Sequence, residues 1–398
     1  MLKITKNVKD IPCYVRAFFP IMCIECKHTK GGNMKKLMIL LSVMFVALMA
    51  LTACSPSNGS TVDIGIVLPT RDEPRWIQDE TRFKDLLKDT DYSVEILFSQ
   101  GSTATELSNV ETLISKGIKV LIITAQDGDA AGAAVELAKA EGITVIAYDR
   151  LITNTNAVDY YVTFDSVAVG EAQGQYLIDN ATGTGNPLYL YAGAASDNNA
   201  FLFFEGAWNV LQPKIADGTF VIKNSSAATG LASNATLTRT QMSDILGQIT
   251  TNWDFNTALN LANDHLTAAS AADKGDVFIL APNDGTARAI ADAFAADTDV
   301  TSYFVTGQDA EKASVQYIID GKQSMTVFKD VRTLVADAID MALTVLAGNT
   351  PQTTGTYDNG VKQVPAKQTD VVVVDADNVR AALIDSGYYQ ASDFTFPN

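Results

Sequence analysis

The stretch that decides the fold is VLIITAQDGDAAGAAVELAKAEGITVIAYD, residues 120–149. It begins with a β-branched run, 120–125, and ends with another, 144–149. Between them, apolar residues recur at spacings of three and four, with Leu137 on the apolar stripe. This spacing predicts a helix over 130–141 that ends at the glycine after it. The order strand, helix, strand indicates two parallel strands joined by a crossover helix.

The alternation of strands and helices continues on both sides of this stretch. Four helical segments are expected to separate the first five strands. The predicted strands cover 62–68, 94–99, 120–125, 144–149 and 159–164, then 187–192, 220–224, 276–281, 302–307 and 325–329, and finally 371–375. The simplest fold for this order is α/β, with two doubly wound parallel sheets in series.

An export signal is predicted well inside the chain. Met34 is followed by two lysines and an apolar run that ends in Leu-Thr-Ala-Cys54, which resembles the lipobox of bacterial lipoproteins. We expect 34–53 to be the signal peptide, Cys54 to carry the lipid and 54–61 to include the polar tether to the first strand. A retained membrane anchor would give nearly the same topology.

The segment before this signal is expected to be untranslated. Residues 30–33, Lys-Gly-Gly-Asn, can be encoded by a purine-rich ribosome-binding sequence just upstream of Met34. We therefore interpret residues 1–33 as upstream sequence that precedes the true start.

The exported part of the chain is strongly acidic. Residues 1–53 hold eight of the 29 basic and two of the 46 acidic side chains, so 21 and 44 remain and the net charge is −23. Such a charge repels phosphate backbones, and nucleic acid is not an expected partner.

Cysteine and histidine usage argues against metal, disulfide and nucleophilic chemistry. Cys54 is the only cysteine in the exported part, so no disulfide can form there. Cys23 and Cys26 with His28 have the spacing of only half a zinc site. The only other histidine, His265, lies in a helical pattern and is interpreted as a surface residue. We expect neither a metal nor a cofactor.

Polar side chains follow the carboxyl end of nearly every predicted strand, where doubly wound sheets bind their ligands. Helix capping would explain Asp127 and Asp197 equally well, but not Arg150 or Lys329. These strand-end residues are Arg71 to Trp76, Gln126 to Gly128, Asp149 and Arg150, Ser196 to Asn199, Asn283 to Gly285, Gln308 and Asp309, and Lys329 and Asp330.

Carboxylates, amides and arginines in one place suit the hydroxyl groups of a small neutral polyol. The C–H faces of a pyranose also need aromatic plates. Trp76 and Trp253 lie in loop-like contexts and can provide them, whereas Trp208 lies in an amphipathic helical pattern and is expected in the core.

With these residues in view, the chain resembles the type I periplasmic sugar-binding proteins that serve ABC importers. Within that family it is similar to the xylose-binding proteins and to the multiple-sugar-binding receptor of plant-associated bacteria. The resemblance runs from Val62 to about Tyr389. Its most specific motifs are AYDRL (147–151), DNNA (197–200) and GQDAE (307–311), in that order.

The resemblance implies two lobes joined by three chain crossings, near Phe164-Asp165, near Lys329-Asp330 and within Lys367 to Asp370. The lobes would comprise 62–163 with 330–369 (N-terminal) and 164–329 with 370–398 (C-terminal). The segment 224–242 is hard to align with relatives, which leaves open which monosaccharide fits.

The resemblance also implies a set of sugar-binding residues. They are Arg75, Trp76, Asp127, Asp149, Arg150, Asp197, Asn199, Trp253, Asn283, Asp309 and Lys329.

By this resemblance the protein would be a monomeric lipoprotein on the outer face of the cell membrane, and not an enzyme. It would capture a pentose or hexose by hinge closure and present the closed form to an ABC permease. A sugar receptor for chemotaxis or a sensor kinase remains an alternative. A glycosidase with Asp149 and Asp309 as acid and base is a third interpretation.

Overall fold

The computed structural model describes residues 62–397, which form thirteen β-strands and eleven α-helices. The strands are β1 Ile64–Leu68, β2 Val94–Phe98, β3 Val120–Ile123, β4 Thr144–Tyr148, β5 Tyr160–Phe164, β6 Asn186–Leu190, β7 Phe220–Ile222, β8 Gly275–Leu280, β9 Val300–Val305, β10 Met325–Phe328, β11 Gly355–Asp358, β12 Gln363–Thr369 and β13 Val372–Asp375. The helices are α1 Pro74–Leu87, α2 Thr103–Ser115, α3 Ala131–Ala140, α4 Ser166–Asn180, α5 Asn198–Ala216, α6 Ser226–Gly230, α7 Arg239–Ile249, α8 Phe255–Ala268, α9 Asp284–Ala296, α10 Lys312–Ile319 and α11 Val331–Leu346.

Seven strands form the first sheet, in the order β11-β12-β5-β4-β3-β1-β2, and only β11 runs antiparallel to its neighbour. Helices cover both faces. In β1, Ile64 and Ile66 pack with α1 and α11, whereas Val67 packs in the core that contains residues of α2 and α3. Burial on both faces explains why β1, β3 and β4 are continuous, mostly apolar runs.

The second sheet contains the parallel strands β7-β6-β8-β9. An isolated bridge between Gln308 and Val327 extends this sheet to β10, which pairs antiparallel with β13. Helices α5 and α7 pack in one core, and α8 and α9 in another. The prediction of an α/β fold with two doubly wound parallel-sheet lobes is confirmed.

Three neighbouring connections join the two sheets, directly after β5, β10 and β12. The first and third connections are bonded to each other. The Asp165 N–H donates to the Thr369 carbonyl (3.0 Å), and the Gln368 amide donates to the Asp165 carboxylate (2.8 Å). We use "N-terminal lobe" for residues 62–163 with 330–369 and "C-terminal lobe" for 164–329 with 370–397.

Two details of the predicted elements are wrong. Residues 149–159, expected to include a fourth helix, form a loop. Asn359 stabilises this loop by donating to the carbonyls of Ile152 and Thr155, so the loop backbone needs no helical bonds. In α3, Leu137 is exposed, and the buried stripe is formed by alanines, Gly132 and Val135.

The expected export signal, the lipid-bearing Cys54 and the tether fall outside the described residues. Within residues 62–397, no helix combines the length and apolarity that a bilayer crossing requires.

Candidate ligand-binding site

A small cavity lies between the lobes. Residues from both lobes line it. Ten of the eleven residues predicted from the sequence are among them: Arg75, Trp76, Asp149, Arg150, Asp197, Asn199, Trp253, Asn283, Asp309 and Lys329. The strand ends and helix starts of two sheets therefore converge on one small space.

Asp127 is the predicted residue that the structure does not bring to this cavity. Its carboxylate accepts the backbone N–H groups of Asp129 (3.0 Å) and Ala130 (2.9 Å) at the turn into α3. Asp127 therefore caps the turn before α3, whose N-cap position itself is Ala130.

Three further residues line the cavity: Glu73, Phe203 and Gln308. Gln308 follows a predicted strand, so its position gave a usable signal. Glu73 directly precedes α1, and Phe203 lies one helical turn after Asn199 in α5. Glu73 lies within the strand-end range Arg71 to Trp76, so its position also gave a signal, whereas Phe203 gave none because a phenylalanine in an apolar helix is common.

Arg75 is the electrostatic centre of the site. It is buried in the first turn of α1, and its guanidinium contacts three carboxylates. Nε donates to Asp79 (2.7 Å), Nη2 to Asp149 (2.9 Å) and Nη1 to Asp309 (3.2 Å). Asp79 in turn accepts the hydroxyl of Tyr148. Because Asp309 belongs to the C-terminal lobe, Arg75 bridges the lobes.

Asp149 lies among several cations. Burial alone would raise its pKa, but Lys329, Arg75 and Arg150 together lower the pKa to about 2. The Lys329 ammonium lies 3.8 Å from Asp149 and 3.0 Å from Asp309. Asp149 is therefore a permanent anion at neutral pH.

Arg150 forms a second bridge between the lobes. Its Nε lies 2.9 Å from the Asp197 carboxylate, across the cavity, and its Nη2 lies 3.6 Å from Glu73. Asp197 also caps α5 by accepting the Asn199 N–H (2.9 Å). The Asn199 amide donates to both the carbonyl (3.0 Å) and the carboxylate (3.2 Å) of Asp149. These bonds hold the lobes in a closed arrangement.

Three cavity residues have left-handed backbone conformations that non-glycine residues rarely adopt. The φ angles are +62° for Asp149, +60° for Trp253 and +103° for Asp309. Such conformations cost roughly 1–3 kcal/mol each and cluster at functional sites. This strain supports a functional role for the cavity.

Polar atoms without partners also surround the cavity. Among the described residues, the indole nitrogens of Trp76 and Trp253 and the side-chain oxygen of Gln308 are buried and make no hydrogen bond. Buried polar groups are almost always paired in folded proteins. Two donors and one acceptor are thus available to a ligand.

Comparison with known proteins identifies the family. Residues 64–350 match the family of the periplasmic binding protein domain. The chain belongs to this family. Its members bind solutes and are not enzymes, and they act outside the cytoplasm.

Two curated periplasmic binding proteins illustrate the relationship. The chain is 36% identical to the multiple sugar-binding periplasmic receptor ChvE of Rhizobium radiobacter, across 87% of this chain and 95% of that protein. It is 29% identical to the D-xylose-binding periplasmic protein of Escherichia coli, across 85% of this chain and 94% of that protein.

Solved structures of periplasmic binding proteins agree with this. A carbohydrate transporter solute-binding protein of Chloroflexus aurantiacus, in complex with D-glucose, is 73% identical with a TM-score of 0.83, over 84% of this chain and 98% of that one. An ABC transporter solute-binding protein of Clostridium phytofermentans with bound β-D-glucose is 35% identical with a TM-score of 0.73. The match covers 83% of this chain and 99% of that one.

The geometry also argues against a glycosidase. Asp149 and Asp309 both contact Arg75. The pKa of Asp149 is lowered to about 2, which excludes Asp149 as the general acid, since that role in glycoside hydrolysis needs a raised pKa. Membership of the periplasmic binding protein family leads to the same conclusion.

Glu73 should make the stability of this binding protein depend on pH. Burial raises the pKa of Glu73 from the ordinary 4.5 to about 7, against the opposing effect of Arg150. A carboxyl group whose pKa is higher in the folded than in the unfolded protein stabilises the fold fully at pH values below its unfolded-state pKa. This stabilisation is lost as the pH rises through the folded-state pKa. Glutamine cannot ionise, so the free energy of unfolding of Glu73→Gln minus that of the wild type should increase with pH. The increase should reach about 1.4 kcal/mol per pH unit between about pH 5 and pH 7.

Urea denaturation of both proteins across this pH range measures the effect of Glu73→Gln. Burial also raises the pKa of Glu106 to about 7. Glu106 is present in both proteins, so its contribution cancels in the difference. Parallel stability curves for the two proteins would contradict the role of Glu73.

Proposed function

We propose that this chain captures a neutral monosaccharide between its lobes and delivers it to an ABC sugar importer. The observation that carries the proposal is the cavity itself. It combines paired carboxylates, arginines and a lysine with two indole rings, and it leaves buried donors and an acceptor unpaired. Hydroxyl groups both donate and accept, so a polyol can satisfy all of these atoms.

The charges around the cavity favour a neutral sugar. Three cations, Arg75, Arg150 and Lys329, face three cavity carboxylates, and each cation lies within 3.2 Å of at least one of them. The fourth cavity carboxyl, Glu73, has a pKa raised to about 7 by burial and is largely neutral in mildly acidic medium. An acidic sugar would bring an anion for which the described residues place no free cation in the cavity.

Closure of the hinge is the proposed mechanism. The bonds of Arg75 to Asp309 and of Arg150 to Asp197 join side chains from different lobes. A sugar that adds hydrogen bonds to both lobes would shift an open–closed equilibrium toward the closed state by its differential affinity for that state. The permease would then recognise the closed form. No feature of the described residues favours chemotaxis or kinase signalling over import.

Relatives suggest which sugars to test first. The two solved structures at 73% and 35% identity hold glucose, and one curated relative is named for xylose. Glucose and xylose are therefore the leading candidates for this chain.

Calorimetry of residues 55–398, freed of bound ligand by unfolding and refolding, tests the proposal. Titration with glucose, xylose, galactose, arabinose, ribose and fucose should give 1:1 binding for one or two sugars, with the sugar recovered unchanged. Glucuronate should not bind. If none of the neutral sugars binds, or if glucuronate binds as tightly as glucose, the proposal fails.

We also propose that the protein is a monomer held on the outer face of the membrane by a lipid on Cys54. The Leu-Thr-Ala-Cys sequence that ends the apolar run after Met34 supports the lipid anchor. Cys54→Ser should leave an uncleaved, unlipidated precursor, which mass spectrometry of the membrane and soluble fractions would detect. Acylation that persists in this variant would refute the anchor.

A further inference from the structure

Gly193 lies directly against the indole ring of Trp253. A Cβ atom built on Gly193 would lie 2.0 Å from Cζ2, 2.1 Å from Cη2 and 2.4 Å from Cε2 of that ring. These distances are far inside van der Waals contact, which begins near 3.5 Å for carbon atoms. Any side chain at residue 193 must therefore move the indole ring or the backbone that carries it.

The backbone around Gly193 and the backbone that leads to Trp253 are bonded to each other, so neither can move alone. The Thr250 hydroxyl donates to the Gly193 carbonyl (2.8 Å), and the Thr251 hydroxyl (2.9 Å) and N–H (2.8 Å) both donate to the Ala192 carbonyl. These bonds join the segment after β6 to the loop before α8. A shift of one segment would break buried hydrogen bonds, so displacement of the ring is the cheaper response.

The ring is also constrained from other directions. Trp253 has a φ angle of +60°, and its ring packs edge-on against Phe203 with centroids 6.1 Å apart. Both aromatic residues line the cavity, whereas Gly193 does not. The position of the ring in the cavity thus depends on a residue outside it.

We propose that Gly193 is a positioning residue that seats the Trp253 indole and thereby sets the shape of the sugar cavity. The proposal rests on the proposed function of that cavity. Displacement of the indole from its place in the cavity should weaken sugar binding by about fivefold to a hundredfold.

The test uses the protein with 5-fluorotryptophan at its three tryptophans. Substitution of each tryptophan in turn assigns the three ¹⁹F resonances. Gly193→Ala should shift the Trp253 resonance in the absence of sugar and leave the Trp208 resonance in place. Gly247→Ala is the matched control, because a Cβ on this helical glycine of the same lobe meets no atom within 4 Å.

Calorimetry with the sugar that binds most tightly to the wild type is the second test. Gly193→Ala should weaken binding about fivefold to a hundredfold in the wild-type background, but less than about twofold in a Trp253→Phe background. The phenyl ring lacks the outer indole atoms that the new methyl group meets. If Gly193→Ala does not fold alone, Trp253→Phe should restore folding in the double variant.

Three results would overturn the proposal: an unchanged Trp253 resonance in Gly193→Ala, an equal loss of affinity in both backgrounds, or a double variant that fails to fold. If the wild type binds no sugar at all, the proposed function fails instead, and the ¹⁹F arm still decides whether Gly193 seats the ring.

Discussion

Replacement of Asp309 by alanine should abolish sugar binding while the protein stays folded. Asp309 accepts from Arg75 (3.2 Å) and lies 3.0 Å from the Lys329 ammonium. Its removal leaves two buried cations with one fewer anion and deletes an acceptor for a sugar hydroxyl. A hydrogen bond to a charged group contributes about 1.5–3 kcal/mol, so the loss of the two that the Asp309 carboxylate can accept from sugar hydroxyls should lower the affinity by about a hundredfold or more.

Folding should survive Asp309→Ala because both cations keep other partners. Arg75 still contacts Asp79 and Asp149, and Lys329 still faces Asp149. Circular dichroism and thermal melting check the fold, and calorimetry measures binding. Asp127→Ala is the matched control, since this carboxylate caps a turn outside the cavity and its loss should cost stability but not affinity. Intact affinity in Asp309→Ala would remove Asp309 from the site.

The fold was predictable because its strands are buried on both faces. Continuous β-branched runs such as 120–125 are visible without any partner in view. The strands β11 and β12, at one end of the first sheet, were not predictable in this way. β12, with the sequence QVPAKQT, contains a proline and mostly polar residues, and its only reason to be a strand is its pairing with β5 and β11. Such tertiary pairing leaves no periodic signal.

The site was predictable to the extent that its residues follow strands. Asp149, Arg150, Asp309 and Lys329 do so, and the rule that ligands bind beyond strand ends selected them. Asp79 shows what this rule omits. It lies one turn into α1 and touches the cavity only through Arg75, so its importance appears only when the carboxylate is seen bonded to both Arg75 and Tyr148.

Replacement of Arg75 by methionine should destabilise the whole protein. Arg75 is 2% exposed and contacts Asp79, Asp149 and Asp309. Without the guanidinium, Asp79 loses the cation it is paired with, and Asp149 and Asp309 keep the contact with Lys329. Removal of one partner from a buried ion pair costs about 3–5 kcal/mol, and the free energy of unfolding should fall by that amount near neutral pH.

The loss of unfolding free energy in Arg75→Met, relative to the wild type, should become smaller as the pH falls. In the wild type, burial raises the pKa of Asp79 even beside Arg75, whereas the cations around Asp149 lower its pKa to about 2. Loss of Arg75 leaves burial as the dominant effect, so the folded-state pKa values of both carboxyls should rise. Carboxyls with raised pKa values contribute stability that is lost as the pH rises.

Urea denaturation at about pH 5 and pH 7.5 measures this dependence, and the loss of stability in Arg75→Met should be smaller at the lower pH. Arg71→Met is the matched control. Arg71 is 46% exposed, and its partner Glu80 keeps a second cation, Lys84, at 2.7 Å, so the loss of Arg71 should cost less stability than the loss of Arg75 and should differ little between the two pH values. Equal deficits for Arg75→Met at both pH values would show that its cost comes from lost packing rather than from uncompensated buried charge.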